Sequence, residues 1–216
     1  MRSASRDGDS RRIQAQKLLI LGFFVLPIGL TLAIMLSPPF RQLRERNRLH
    51  NEQLLQAVEQ GNLAQVKRLL QEGASVNAST RSGLTALSLA LMRGQDEIAL
   101  LLIEHGASLG ARDRTGYLRE MNPGNSPAYY AAVYGRTRVI KAMLERGVSP
   151  NQRDRNGRTL LMLAAENGHR DTVRLLLAHG ADPNARSALG ESALDAAQRS
   201  GDPEIVKMIQ QAAKAK

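Results

Sequence analysis

Residues 154–185 read DRNGRTLLMLAAENGHRDTVRLLLAHGADPNA, and this stretch decides the fold. Thr159 precedes an apolar run and offers a side-chain oxygen to the free N–H groups of a first turn, which predicts a short helix over Leu160–Asn167. Gly168 follows, and a residue without Cβ takes the left-handed conformation that ends a helix at little cost. Val173, Leu176 and Leu177 then share one face of a second helix, closed by Gly180. Pro183, Asn184 and Gly190 are turn residues that carry the chain onward. A helix pair this short cannot bury its apolar face alone, so the stretch requires stacked neighbours.

The neighbours are present. Glycines recur at Gly61, Gly94, Gly135, Gly168 and Gly201, at Gly73, Gly106, Gly147 and Gly180, and at Gly83, Gly116, Gly157 and Gly190. Each series steps by 33 residues, except for one shared step of 41. Three series in phase with a common interruption of 8 residues define a repeat with one insertion. Units fall at about 50–78, 79–111, 112–152, 153–185 and 186–216. The second (GLTALSLALMRGQDEIALLLIEHGAS) and fifth (GESALDAAQRSGDPEIVKMI) follow the fourth closely. The third keeps Ser126-Pro127, with proline at the first helical position, then Ala131-Ala132 and Gly135.

The period and pattern resemble the ankyrin repeat over residues 50–216. The resemblance implies an all-α solenoid of five helix-turn-helix units with β-turn fingers, binding other proteins through finger tips and the inner face of the first helices. The first unit lacks the usual Thr-Pro-type start and reads as an N-terminal cap. The fifth ends in Gln-Gln-Ala-Ala-Lys-Ala-Lys, polar as an exposed end should be. The histidine of the family's Thr-Pro-Leu-His is replaced by Ser88, Tyr129, Met162 and Asp195, which puts the usual hydrogen bonds between units in doubt.

Ahead of the repeats, Leu18–Leu36 is a run of 19 uncharged, mostly apolar residues. As a helix it spans about 28 Å, close to the ~30 Å hydrocarbon core. A single transmembrane helix over 18–36 is therefore expected, with Pro38-Pro39 stopping it, between a basic tail (1–17) and a basic juxtamembrane linker (37–49). An uncleaved anchor is favoured over a signal peptide because the core is long and Ala33-Ile34-Met35 lacks a small residue where cleavage needs one. Lys and Arg number 5 before the span and 4 after it by Arg48. The basic tail tips the reading to an inside N-terminus and extracytoplasmic repeats, with the cytoplasmic alternative left open. Charge is uneven in the same way: residues 1–48 carry +6 of the net +10.

No catalytic chemistry stands out, and no cofactor or metal is expected. With no cysteine there are no disulfides, thiolate sites or thiol nucleophile. His105 and His179 hold one slot in units two apart, too distant for a shared zinc whose nitrogens lie at ~2 Å. The glycines are isolated rather than clustered as a phosphate loop needs. Carboxylates such as Asp113 and Asp154 recur by unit, as scaffold residues do.

Two surface features are candidate partner sites. One tip slot holds Ser79, Arg112, Arg153 and Arg186; the slot two residues on holds Arg81, Arg114, Arg155 and Ala188. Six arginines thus line one edge, either as solvated side chains partly neutralised by Asp113 and Asp154 or as a dock for an acidic protein surface or lipid headgroups. Replacing Arg112, Arg114, Arg153 and Arg155 by Ala is expected to weaken capture in steps and leave the melting temperature nearly unchanged. Nucleic acid fits less well, since long Lys/Arg runs and stacking aromatics are missing from these turns. The second feature is the insertion within Tyr117–Asn125 (YLREMNPGN), expected as a projecting loop. Tyr117, Tyr129, Tyr130 and Tyr134 are all the tyrosines of the chain. Tyr117, Met121, Tyr130 and Tyr134 are expected at the centre of a partner site, with packing between units as the competing role for Tyr130 and Tyr134.

Overall fold

The computed structural model describes residues 38–112 and 124–215. The chain divides into two compact units, residues 1–48 and 49–216. Among the described residues the regular elements are helices taken in pairs: α1 (Pro38–Glu59) with α2 (Leu63–Gln71), α3 (Ala86–Arg93) with α4 (Asp96–Glu104), α5 (Pro127–Val133) with α6 (Thr137–Glu145), α7 (Leu160–Glu166) with α8 (Arg170–Ala178), and α9 (Ala193–Ser200) with α10 (Pro203–Lys214). Between pairs the chain turns back in fingers, numbered by the unit they open; the second, fourth and fifth are each closed by one antiparallel bridge, Ser79 with Thr85, Arg153 with Thr159, and Arg186 with Ser192.

Residues 38–49, expected as a linker, are helical, while the helix that Pro38-Pro39 was expected to stop lies outside the described residues. The prolines begin α1, because a helix's first N–H groups have no intrahelical partner and proline lacks only that group. Gln, Leu, Arg and Glu then continue the helix. Leu18–Leu36 lies outside the described residues; among those described, no helix is long and apolar enough to cross a membrane.

The first helices of the inner units start alike. Thr85, Ser126, Thr159 and Ser192 each accept the N–H three residues on, at Ser88, Tyr129, Met162 and Asp195. These are the positions where the family's histidine was missed. The chain replaces it locally: Ser88 Oγ accepts from Thr85 Oγ1 (3.1 Å), Met162 Sδ from the Thr159 N–H (3.4 Å), and Asp195 Oδ2 from the Ser192 N–H (2.7 Å).

Packing joins the units into one core. Leu54, Leu87, Leu91, Leu102, Ile140, Leu161, Leu163, Leu176 and Ile205 are fully buried, and burying a side chain of this size contributes about 1.5–3 kcal/mol. Polar ties cross the seams. Asn77 Oδ1 accepts the Ser108 N–H (2.8 Å) and Asn151 Oδ1 the Asp182 N–H (2.7 Å). Arg136 Nε donates to Leu91 O (3.2 Å) and His169 Nε2 to Val133 O (2.8 Å). Arg136 and His169 stand at the N-cap positions of α6 and α8 but make no cap of their own, because their side chains reach back to the preceding unit.

Candidate functional site

Three fingers are described at their tips, and each of these is built around one short polar side chain. Asp154 Oδ1 accepts the N–H groups of Asn156 and Arg158 at 2.8 Å each. Ser187 Oγ does the same for Leu189 and Glu191 (3.3 and 3.2 Å), and Thr80 Oγ1 for Leu84 (3.1 Å). Asp154 is thus a turn-former with its side chain buried, which is the scaffold role read from its recurrence.

The two arginine slots separate in role. Arg153 Nη1 donates to Gly157 O of its own turn (2.5 Å) and to Arg186 O of the next finger (2.6 Å). Arg112 repeats this, with Nη2 toward Arg153 O (3.5 Å) and Nη1 to Gly124 O (3.1 Å). Arg186, on the last finger, donates to Gly190 O (2.8 Å). The first-slot arginines therefore tie each finger to its own turn, and Arg112 and Arg153 also tie it to the finger that follows. In regular fingers the acceptor lies four residues beyond the arginine; in the third it lies twelve beyond. The insertion hands that place to Gly124 and returns the chain to register. The second slot is different. Arg81 and Arg155 are exposed and have no hydrogen bond or ion pair among the described residues.

Of the other predicted site residues, Arg114, Tyr117 and Met121 lie outside the described residues. Tyr130 is 7% exposed and is corrected from surface contact to core. It takes the place held by Leu89, Leu163 and Ala196 in the other units, and its ring meets Tyr129 edge-on with centroids 5.1 Å apart. Tyr134 remains exposed at 38%, at the end of α5.

Sequence reasoning missed a second locus, between the fourth and fifth fingers. A cleft of about 320 Å³ is lined by Asn156, Arg158, Glu166, Ser187, Leu189, Glu191 and Arg199. Its charges are already paired. Arg158 donates through Nε to Asp154 (3.0 Å) and Nη1 to Glu166 (3.0 Å). Arg199 meets Glu191 at 2.7 Å and Glu166 at 3.3 Å. Burial disfavours the Arg158 charge, but the hydrogen bond and charge of Asp154 and the charge of Glu166 outweigh it and hold the guanidinium above its ordinary pKa. The signal was available: the tip slot runs Ser82, Thr115, Asn156, Leu189, so an apolar residue breaks a polar series.

The chain matches the family model for ankyrin repeats (3 copies) over residues 54–154 and again over 129–216. It is similar to ankyrin repeat domain-containing protein 63 of Mus musculus, 38% identical over 108 residues, which are 48% of this chain and 26% of that protein. A putative ankyrin repeat-containing protein of Treponema pallidum is 35% identical over 121 residues, 56% of this chain and 37% of the relative. A transient receptor potential cation channel subfamily A member 1 homolog of Caenorhabditis elegans is 28% identical over 137 residues, 63% of this chain and 11% of the relative. In each case the match spans well under half of the relative's own length.

Proposed function

We propose that this chain, which belongs to the ankyrin-repeat family, is a membrane-anchored scaffold that holds a protein partner along its finger edge and inner helix face. The carrying observation is the pair of equivalent, exposed cations Arg81 and Arg155, which engage no partner among the described residues and sit on fingers that are otherwise internally bonded. An exposed guanidinium is suited to forked contacts with carboxylates, so an acidic protein surface is the fitting partner. Arg114 shares the slot and joins them in this reading, as do Tyr117 and Met121 of the insertion and the exposed Tyr134. The anchor is Leu18–Leu36, with the repeats on the extracytoplasmic side.

Fractionation and capture test the reading together. The full chain should sediment with membranes, and a chain beginning at Pro38 should stay in the supernatant. Protease added outside intact cells should cut the repeats; protection until lysis would place them on the other side. Partner capture by the full chain should fall when Arg81 and Arg155 are both replaced by Ala. Equal binding to phosphatidylserine vesicles or nucleic acid, with a steep loss in salt, would instead support a reader of generic anionic surfaces.

A further inference from the structure

The cleft between the fourth and fifth fingers has three properties that together define an occupant. First, the lining is charge-balanced: Arg158 and Arg199 stand against Glu166 and Glu191. A free anion gains nothing there that the resident carboxylates do not already supply. Second, carboxylates hold Arg158 through Nε and Nη1 and Arg199 through Nη1 and Nη2, so both guanidiniums are fixed in orientation, and a guanidinium is flat on both faces. Such faces stack on aromatic rings. Third, one wall is Leu189, which at 83% exposure is the most exposed large hydrophobic side chain among the described residues.

The rim is also fixed in advance. The Ala188 N–H donates to Asn156 O (3.0 Å), tying the tips of the fourth and fifth fingers. Arg153 spans the same two fingers. A pocket held this way loses little freedom when filled. Its volume, about 320 Å³, lies at the small end of the ~300–1,000 Å³ of ligand sites, which suits a single side chain rather than a cofactor. Arg155, exposed and without a partner among the described residues, directly precedes the rim residue Asn156.

We propose that this cleft seats an aromatic side chain of the protein partner, between Leu189 and the faces of Arg158 and Arg199, while acidic residues flanking it on the partner pair with Arg155. The inference rests on the finger edge being a protein-binding surface and adds what that surface selects: an aromatic residue in an acidic stretch.

Three fluorescein-labelled heptapeptides test it with the full chain in a mild detergent, read by anisotropy. They are Glu-Asp-Glu-Phe-Glu-Asp-Glu, the same peptide with Ala for Phe, and Gln-Asn-Gln-Phe-Gln-Asn-Gln. The acidic Phe peptide should bind roughly tenfold more tightly than its Ala counterpart. Leu189→Asp, at an exposed turn tip, should abolish that preference with unchanged far-UV circular dichroism. Arg155→Ala should weaken both acidic peptides alike. Equal binding of the two acidic peptides overturns the pocket and leaves the acidic-partner reading standing. Binding of the neutral Phe peptide as tightly as the acidic one, lost in Leu189→Asp, keeps the pocket and overturns the acidic reading. Failure of all three overturns both.

Discussion

The imidazole of His169 occupies the space that a Cβ on Gly135 would need: such an atom would lie 2.5 Å from Nδ1. The same ring donates through Nε2 to Val133 O. One side chain of the fourth unit thus both bonds to the third and rests on its bare glycine.

Gly135→Ala should therefore cost more than Gly168→Ala. Both glycines have positive φ, +64° and +74°, but nothing lies within 4 Å of a Cβ at Gly168. The left-handed backbone alone costs a non-glycine residue about 1–2 kcal/mol. Displacing the ring should add about 1–2 kcal/mol at Gly135. Urea unfolding of the single variants and of Gly135→Ala with His169→Ala should show strong coupling, because His169→Ala removes the clash. Additivity of the two changes would contradict the contact.

Arg153→Ala and Arg155→Ala, two residues apart, should behave oppositely. Arg153→Ala deletes charge-assisted bonds to two backbone carbonyls and should lower stability by about 1 kcal/mol. Arg155→Ala removes no bond among the described residues and should stay within about 0.5 kcal/mol of the parent. Partner capture should respond to Arg155→Ala. Thermal melts beside a pull-down separate the two effects.

Acid should loosen the last unit. The hydrogen bond from Arg170 holds the Asp202 carboxyl below its usual range, against some burial and with help from the N–H groups of Glu204 and Ile205. Ser192 does the same for Asp195 through its hydroxyl and backbone N–H. Both folded pKa values lie below the unfolded one. Their stabilisation is thus complete above the ordinary carboxylate pKa of about 3.9 and lost as pH falls through the depressed values. Asp96 runs the other way: burial raises its pKa more than Arg136 lowers it, so its protonation favours the folded chain. Hydrogen exchange between pH 5 and pH 3 should show α9 and α10 opening before α3 and α4. Asp202→Asn should flatten that response.

The insertion should be removable. Deleting residues 117–124 restores the 33-residue step and keeps Asn125, which is buried and stands where Leu84, Arg158 and Glu191 stand in other units. Gly116 O then takes over from Gly124 O as the acceptor for Arg112. The shortened chain should fold with a melting temperature near that of the parent. If it folds but loses partner capture, Tyr117 and Met121 replaced singly by Ala should locate the loss. Unchanged affinity would remove the loop from the site.

The repeat was legible because its signals are local and periodic. Thr159 caps a helix that ends one residue from where the sequence put it, and Ser126-Pro127 starts another. Tyr130 was legible too, since the register aligns it with Leu89 and Leu163 and so with the core. Composition drew attention to its ring instead. The roles of Arg112 and Arg153 were not legible. Their acceptors are backbone carbonyls, which carry no residue identity, and those between fingers lie 41 and 33 positions away. The same holds for the paired charges around Arg158 and Arg199, where Glu166 and Arg199 meet only once two units are stacked.

The arginine bonds between fingers run one way. Arg112 reaches toward the fourth finger and Arg153 toward the fifth, so each depends on residues made after it. Translation proceeds from the N-terminus, and units fold as they emerge. A nascent chain that has released Arg153 but not Arg186 carries a fourth finger still lacking its outer acceptor. Each finger of the binding edge is thus fastened only when the finger after it has been made. A chain stopped before Arg186 would lose more than its fifth unit: it would present Arg155 on a finger held to the third but never fastened on its outer side.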